Sequence, residues 1–232
     1  MGSQKFILGD FDEKKPILGY FSVFFGHFRS FQLISGHFLQ KPVFTHLKMS
    51  IFHGDITTLK EVECIVNSTN PRIYGLGGVC GAICRAAGPG LKSEIKAKYP
   101  RGCAKYEAKM TEAHNLTHLK TIIHTVGPAG AVRSQNSGNN AKNLAKEQLE
   151  TCYKNVLDLA NDSQIKSLGI PCIATGAQGF NKKQAALIAV KTVDKWLYEN
   201  LEGCVEKVVF CCYSAFNFFL KISIFSGFWP KI

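Results

Sequence analysis

From Ser50 to Tyr213 the chain switches between short continuous apolar runs and longer stretches whose apolar residues recur three and four apart, the pattern of strands alternating with helices. The runs at 51–53, 63–66, 121–126, 167–173 and 207–213 are mostly β-branched or apolar and are predicted as strands. The stretches at 82–98, 141–160 and 184–198 are predicted as helices. In 141–160 the inward stripe reads Leu144, Ala145, Leu149, Cys152, Tyr153, Val156, Leu157 and Ala160; in 184–198 it reads Leu187, Val190, Val193 and Leu197. Strands that are continuously apolar and separated by helices predict an α/β protein with a mostly parallel sheet covered on both faces. A polar Gly/Ser/Asn-rich loop is expected at 129–140, and there is no internal repeat.

Two connections stand out from this pattern. Residues 67–88 carry an apolar strand through amides and glycines into a small-residue helix predicted to start near Ala82. Gly75, Gly77, Gly78 and Gly81 lack a Cβ and are expected to use positive φ, so successive N–H groups point into one hollow beside the positive end of a helix. A second such turn, Thr175-Gly176-Ala177-Gln178-Gly179-Phe180, also follows a strand and precedes a helix. In a parallel sheet both turns fall at the carboxyl ends of strands, which predicts an anionic, phosphate-bearing ligand. A dinucleotide fingerprint counted from Gly75 fails because Cys80 stands at its third glycine, and no phosphate-binding loop of the G-x-x-x-x-G-K-[ST] type occurs.

Composition narrows the classes further. The chain has 232 residues, 46% of them hydrophobic, enough for one domain with a real core plus an appendage. Twenty-eight basic against 17 acidic residues give a net charge of +11, which favours anionic partners, although the lysines are scattered and form no arginine-rich run. Nine unevenly spaced cysteines in a chain of this length fit a reducing compartment, cytoplasmic or nuclear, better than disulfide staples. Cys80 and Cys84 could ligate a metal or supply a nucleophile, but no second Cys/His pair completes a zinc set, and buried core thiols are the simpler reading.

The ends differ from the middle. Residues 1–48 are Phe-rich without a regular period, and Met49 would make a natural start. Ser22, His27, Arg29, Gln32 and His37 argue against a membrane span, and Asp10, Asp12 and Glu13 against a leader; organelle targeting and a non-native extension both stay open. The expected division is therefore an extension at 1–48, a folded domain at 49–221 and an apolar tail at 222–232.

Five pieces in register, Gly54-Asp55-Ile56-Thr57, the 67–88 block followed by Pro89, Ile123-His124-Thr125-Val126-Gly127-Pro128, the turn at 175–180 and the strand ending at Tyr213, resemble the macrodomain family. The similarity is to its MacroD-like branch, which includes bacterial O-acetyl-ADP-ribose deacetylases. The resemblance implies a three-layer α/β/α fold with a mixed, mostly parallel central sheet, binding ADP-ribose or ADP-ribosylated protein and needing no metal or cofactor. Position by position, Asp55 resembles the acceptor of the adenine amine with Ile56 beside it, and Tyr213 the aromatic that packs on adenine. Gly77, Gly78 and Val79 resemble one wall of the diphosphate site, and Thr175, Gly176, Ala177, Gln178, Gly179 and Phe180 the other. Asn70 resembles the amide on the distal ribose, and Asn67 a brace of the loop. Poly(ADP-ribose) or RNA is a further partner class that the net charge would serve.

The departures from the family pattern cluster at the reacting end. Where hydrolytic relatives carry an acidic residue and a histidine in the first loop, this chain has Cys80 and Cys84; Gln178 replaces an aromatic, Leu76 a glycine and Ala174 a serine. A neutral thiol is a poor substitute for a charged carboxylate. Backbone donors are untouched by these changes, so ADP-ribose binding is expected to persist and hydrolysis to be weak or absent. If turnover survives, Asn70 holding the ribose and, less favoured, Cys80 as nucleophile are the catalytic candidates.

Overall fold

Runs that are apolar on every residue need cover on both sides, and that requirement decides the architecture. The computed structural model describes residues 48–128 and 139–214. Its strands are β1 (Met49–His53), β2 (Cys64–Thr69), β3 (Ala108–Glu112), β4 (Thr121–Val126), β5 (Ser167–Pro171) and β6 (Lys207–Cys212); its helices are α1 (Gly78–Ala87), α2 (Pro89–Lys98), α3 (Asn139–Asp162) and α4 (Lys182–Glu199). The strands form one sheet in the order β1-β6-β5-β2-β4-β3. Every neighbouring pair is parallel except β3 with β4.

Successive residues of each strand serve opposite layers. Cys64 and Val66 of β2 join Ile123, Leu168, Ile170, Val208 and Phe210 in a core under α3 and α4. Ile65 joins Ile122, Val209 and Cys211 in a second core under α1 and α2. The three-layer α/β/α expectation is thereby met.

Several local expectations need correction. The single helix expected at 82–98 is two: α1 begins four residues earlier at Gly78, and the chain breaks at Gly88, whose φ of 77° is a left-handed value. A Cβ on Gly88 would lie 2.4 Å from Asn115 Nδ2, and Pro89, with no N–H to satisfy, restarts the helix at its first position. Leu144 and Leu187, expected inside, are 53% and 38% exposed. The buried stripe of α3 runs Ala145, Leu149, Cys152, Tyr153, Val156, Leu157, Ala160, and Leu144 stands one residue, or about 100°, off it.

Strand β3 was not expected from its Ala-Lys-Met-Thr-Glu sequence, which suits an edge position exposed on its outer side. Its outward N–H groups are occupied: Met110 N donates to Tyr99 Oη (3.2 Å) and Glu112 N to Glu94 Oε2 (3.0 Å). Side chains thus close the edge that another strand would otherwise extend. The expectations for residues 1–47, most of the 129–140 loop and residues 215–232 lie outside the described residues. Among the described residues no helix is long and apolar enough to cross a membrane.

Candidate functional site

Because β1, β6, β5, β2 and β4 run parallel, their carboxyl ends share one edge of the sheet. From β2 the chain proceeds to β4 on one side, and from β5 to β6 on the other, so a crevice opens where β5 and β2 part. The two glycine turns leave these two strands. These are neighbouring strands, paired at Cys64 with Leu168 and Ile65 with Gly169, so the two turns leave adjacent positions in the sheet.

The first turn is built by Asn70. Its Oδ1 accepts from Arg72 N (2.9 Å), its Nδ2 donates to Tyr74 O (2.9 Å), and its carbonyl accepts from Ile73 N (2.8 Å). Leu76, Gly77 and Gly78 then pass over the exposed top into α1, whose cap residue Gly77 supplies no side-chain bond. The amides of Gly78, Val79 and Cys80 are therefore first-turn donors without intrahelical acceptors, at the positive end of the helix. Of the four glycines expected to take positive φ, only Gly78 does, at 58°. Gly81 is needed for a different reason: its Cβ would lie 2.3 Å from Leu76 O.

The second turn is closed by Phe180 N donating to Ala174 O (3.0 Å) and Gly179 N to Gly176 O (2.9 Å). Ala174 is held at a φ of 63°, a left-handed value that strains a residue with a Cβ. Thr175 Oγ1 donates to Cys172 O (2.8 Å), and Gln178 Nε2 to Gly127 O (3.3 Å), which ties the turn to the end of β4. Among the described residues the amides of Gly176, Ala177 and Gln178 donate to no backbone carbonyl. Phe180, expected at the ligand, is instead buried in the α3/α4 core and anchors the turn from beneath.

Both walls face open space. A Cβ added at Gly77, Gly78 or Gly176 would meet nothing within 4 Å. The exposed amides and the missing side chains coincide.

At the other end of the crevice, His53 pairs with Cys212 and Gly54 N donates to Cys212 O (3.1 Å), which brings Asp55 beside Tyr213. Asp55 caps a short 3-10 turn (Ile56–Thr58) with Oδ1 alone, accepting from Thr57 N (2.9 Å) and Thr57 Oγ1 (2.8 Å). Its Oδ2 has no hydrogen-bond partner among the described residues. Tyr213 is 80% exposed, so it is no core residue. Ile56 is buried against α1, which leaves only its backbone to the crevice.

Beneath the first turn lies a buried polar chain that sequence reading resolved only in part. Asn67, fully buried, is a support under the loop and does not line the crevice. Its Nδ2 donates to His124 Nδ1 (3.0 Å), so His124 carries its proton on Nε2 and donates it to Thr111 Oγ1 (2.8 Å). Burial pushes the His124 imidazole down to about 3 and keeps it neutral. Asn67 Nδ2 also lies 3.7 Å from Cys80 Sγ, with Thr69 Oγ1 at 3.0 Å and Cys84 Sγ at 4.0 Å from the same sulfur.

Hydrogen bonds from Cys84, Thr69, Asn67 and the Gly75 amide hold the Cys80 thiol below its ordinary range, and the same contact with Cys80 pushes Cys84 up. The groups that converge on Cys80 could not be read from a linear motif. The one available signal was the alternation of β2, which puts Ile65, Asn67 and Thr69 on one face. As to metals, among the described residues no three His, Cys, Asp or Glu side chains cluster to hold one.

The sequence profile of the Macro domain family matches residues 66–189, from β2 through both turns into α4. The chain belongs to the macrodomain family. This macrodomain is 41% identical over 171 residues to human ADP-ribose glycohydrolase MACROD2, covering 74% of this chain and 37% of that protein. It spans well under half the length of that relative. It is also 41% identical over 170 residues to the O-acetyl-ADP-ribose deacetylase of Enterobacter cloacae, covering 72% of this chain and 87% of that one. The Trypanosoma brucei macrodomain solved in complex with ADP-ribose superposes with a TM-score of 0.67 at 30% identity, over 79% of this chain and 72% of its own.

Proposed function

We propose that this macrodomain binds ADP-ribose, free or attached to protein, and hydrolyses such linkages weakly or not at all. The observation that carries the reading is the pair of exposed turns on adjacent strands, with unpaired amides at 78–80 and 176–178 and open space beside Gly77, Gly78 and Gly176. A diphosphate seated between them would accept from both walls, with the helix end adding a favourable field. Asp55 Oδ2 is the free acceptor for an adenine amine, Tyr213 the free ring, and Asn70 retains one N–H and part of its oxygen for a ribose hydroxyl. ADP-ribose is the ligand named for the Trypanosoma brucei structure, which supports the assignment by kinship.

One consideration favours the alternative of an active ADP-ribosyl-protein hydrolase or O-acetyl-ADP-ribose deacetylase: hydrogen bonds hold the Cys80 thiol below its ordinary range, at the position where hydrolytic relatives carry an acid. Its contacts weigh against that. The sulfur is turned under the loop against Asn67, Thr69 and Cys84 and is only 7% exposed, so its charge is already answered by protein donors and does not reach out to orient water. Binding of longer anionic chains, poly(ADP-ribose) or RNA, rests on the net charge alone and predicts a steep salt dependence that one nucleotide in a cleft does not show.

A thermal-shift titration with ADP-ribose against ADP, AMP and NAD tests the binding, since a ligand held only by the folded state raises its melting temperature. No shift with ADP-ribose refutes it. Single-turnover assays on mono-ADP-ribosylated protein and O-acetyl-ADP-ribose test the chemistry. The native chain should be slow and Cys80→Asp faster; native rates equal to those of a competent relative refute the impaired reading.

A further inference from the structure

We propose that Cys80 and Cys84 form a peroxide-reactive dithiol under the phosphate-facing loop, whose oxidation to a disulfide deforms the first turn of α1 and weakens ligand binding there. The ligand part rests on the ADP-ribose reading; the thiol chemistry does not.

Four polar groups converge on one sulfur. Thr69 Oγ1 is 3.0 Å from Cys80 Sγ, Asn67 Nδ2 3.7 Å and Cys84 Sγ 4.0 Å, and the Gly75 amide also points at it. Cys80 occupies the third position of α1, within the first turn, where the helix field favours a negative charge. Cys84, one turn further in, shares the Gly75 amide but not the Thr69 and Asn67 contacts. This asymmetry gives the pair an attacking thiolate and a protonated partner.

The environment suits the intermediate as well. Asn67 Oδ1 is buried and has no hydrogen-bond partner in the structure, although its carboxamide touches the sulfur. A sulfenic acid on Cys80 would bring an O–H donor to that unfilled acceptor. Gly77 and Gly78 leave the loop above without side chains, and a Cβ at either would meet nothing within 4 Å.

The chemistry proceeds in two steps. The Cys80 thiolate attacks one oxygen of a hydroperoxide; the O–O bond breaks, a sulfenic acid forms, and the departing alkoxide or hydroxide takes a proton to leave as alcohol or water. Cys84 then attacks the sulfenic sulfur; an S–S bond forms, the S–O bond breaks, and the hydroxyl leaves as water with the Cys84 proton. Two thiols have lost two electrons to one peroxide. Once Cys80 is oxidised it no longer raises the Cys84 thiol, which frees Cys84 to react.

Closing the bond requires the sulfurs, now 4.0 Å apart, to approach to about 2.05 Å. Cys84 is fixed in the core against Ile83 and Ala87, so the movement falls on the exposed first turn. That turn carries the Gly78 and Val79 amides.

The test uses the full chain. Trypsin cuts after Arg72 and Arg85, so Cys80 and Cys84 leave on one peptide, whereas the other close pair, Cys172 and Cys212, also 4.0 Å apart, would cross-link two. With stoichiometric hydrogen peroxide near neutral pH, the 73–85 peptide should become lighter by two hydrogens before the Cys172–Cys212 cross-link forms, reversibly with dithiothreitol. The pH profile of Cys80 oxidation should level off below the ordinary thiol range, while half-exposed Cys204 serves as the comparison thiol. The Cys172–Cys212 product forming first, or a Cys80 rate still rising through pH 8.5, overturns the proposal.

In Cys84→Ser the disulfide should vanish and a dimedone-trappable sulfenic acid accumulate on Cys80; if that variant does not fold, the native-chain map decides alone. The oxidised protein should bind ADP-ribose at least about 10-fold more weakly. Disulfide formation in a protein that shows no ADP-ribose binding even when reduced leaves the dithiol standing and removes the ligand assignment.

Discussion

His124 offers the sharpest physical test, because its burial makes the fold sensitive to acid in a calculable way. In the folded chain the imidazole is neutral, accepting from Asn67 at Nδ1 and donating to Thr111 from Nε2, and its pKa is pushed down to about 3 by burial. In the unfolded chain it titrates near the ordinary value of about 6.5. A depressed folded-state value contributes stability that is complete above about pH 6.5 and drains away as pH falls toward 3. The slope is about 1.4 kcal/mol per pH unit, so about 2 kcal/mol is lost by about pH 5, a large share of a typical 5–15 kcal/mol. Protonation would also set two donors face to face at Asn67, so the strain reaches Cys80. Urea unfolding of the native chain and His124→Gln from about pH 7.5 to 5 isolates this effect, since the other titrating groups are common to both. The variant should be less stable near neutral pH, with the gap narrowing by about 2 kcal/mol at about pH 5. A gap that stays constant across that range would refute the buried-neutral assignment.

Three further outcomes separate ligand contacts from scaffold. Gly176→Val should leave the melting temperature unchanged, because its Cβ meets nothing within 4 Å, yet abolish the ADP-ribose thermal shift, whereas Gly81→Val should lose both through its collision with Leu76 O. Phe180→Ala should cost about 3–5 kcal/mol in urea unfolding, as removal of a buried aromatic does, and loosen the second turn with it. Asp55→Ser preserves a capping oxygen and should change stability by under about 1 kcal/mol, but it removes the free carboxylate oxygen and should weaken ADP-ribose binding about 10-fold in calorimetry.

The layered fold was legible because its strands are continuously apolar and its helices keep a clean stripe from Ala145 to Ala160. Both crevice turns were legible for a related reason: glycine runs between a strand and a helix have few structural alternatives. Strand β3 was hidden because an edge strand satisfied by Tyr99 and Glu94 has no need of an apolar pattern. The break at Gly88 was hidden because the apolar spacing runs across it, and only the approach of Asn115 explains it. Phe180 read as a ligand residue since it closes the motif, yet its ring is the turn's anchor. The state of Cys80 depended on Thr69, Asn67 and Gly75, which converge only once β2 has turned into α1.

This distribution is what the proposed separation of binding from chemistry in one crevice requires. The diphosphate donors proposed here are main-chain amides fixed by Gly78, Gly81, Gly179 and the buried Phe180, so they survive any side-chain change that spares the backbone. Catalytic charge must instead be carried by a side chain aimed at the reacting bond. At position 80 the thiol is shorter than a carboxylate, and its sulfur lies back among Thr69, Asn67 and Cys84, where those groups satisfy it. A thiol so held supports the loop above it, which fits the proposed binding with weak or absent hydrolysis.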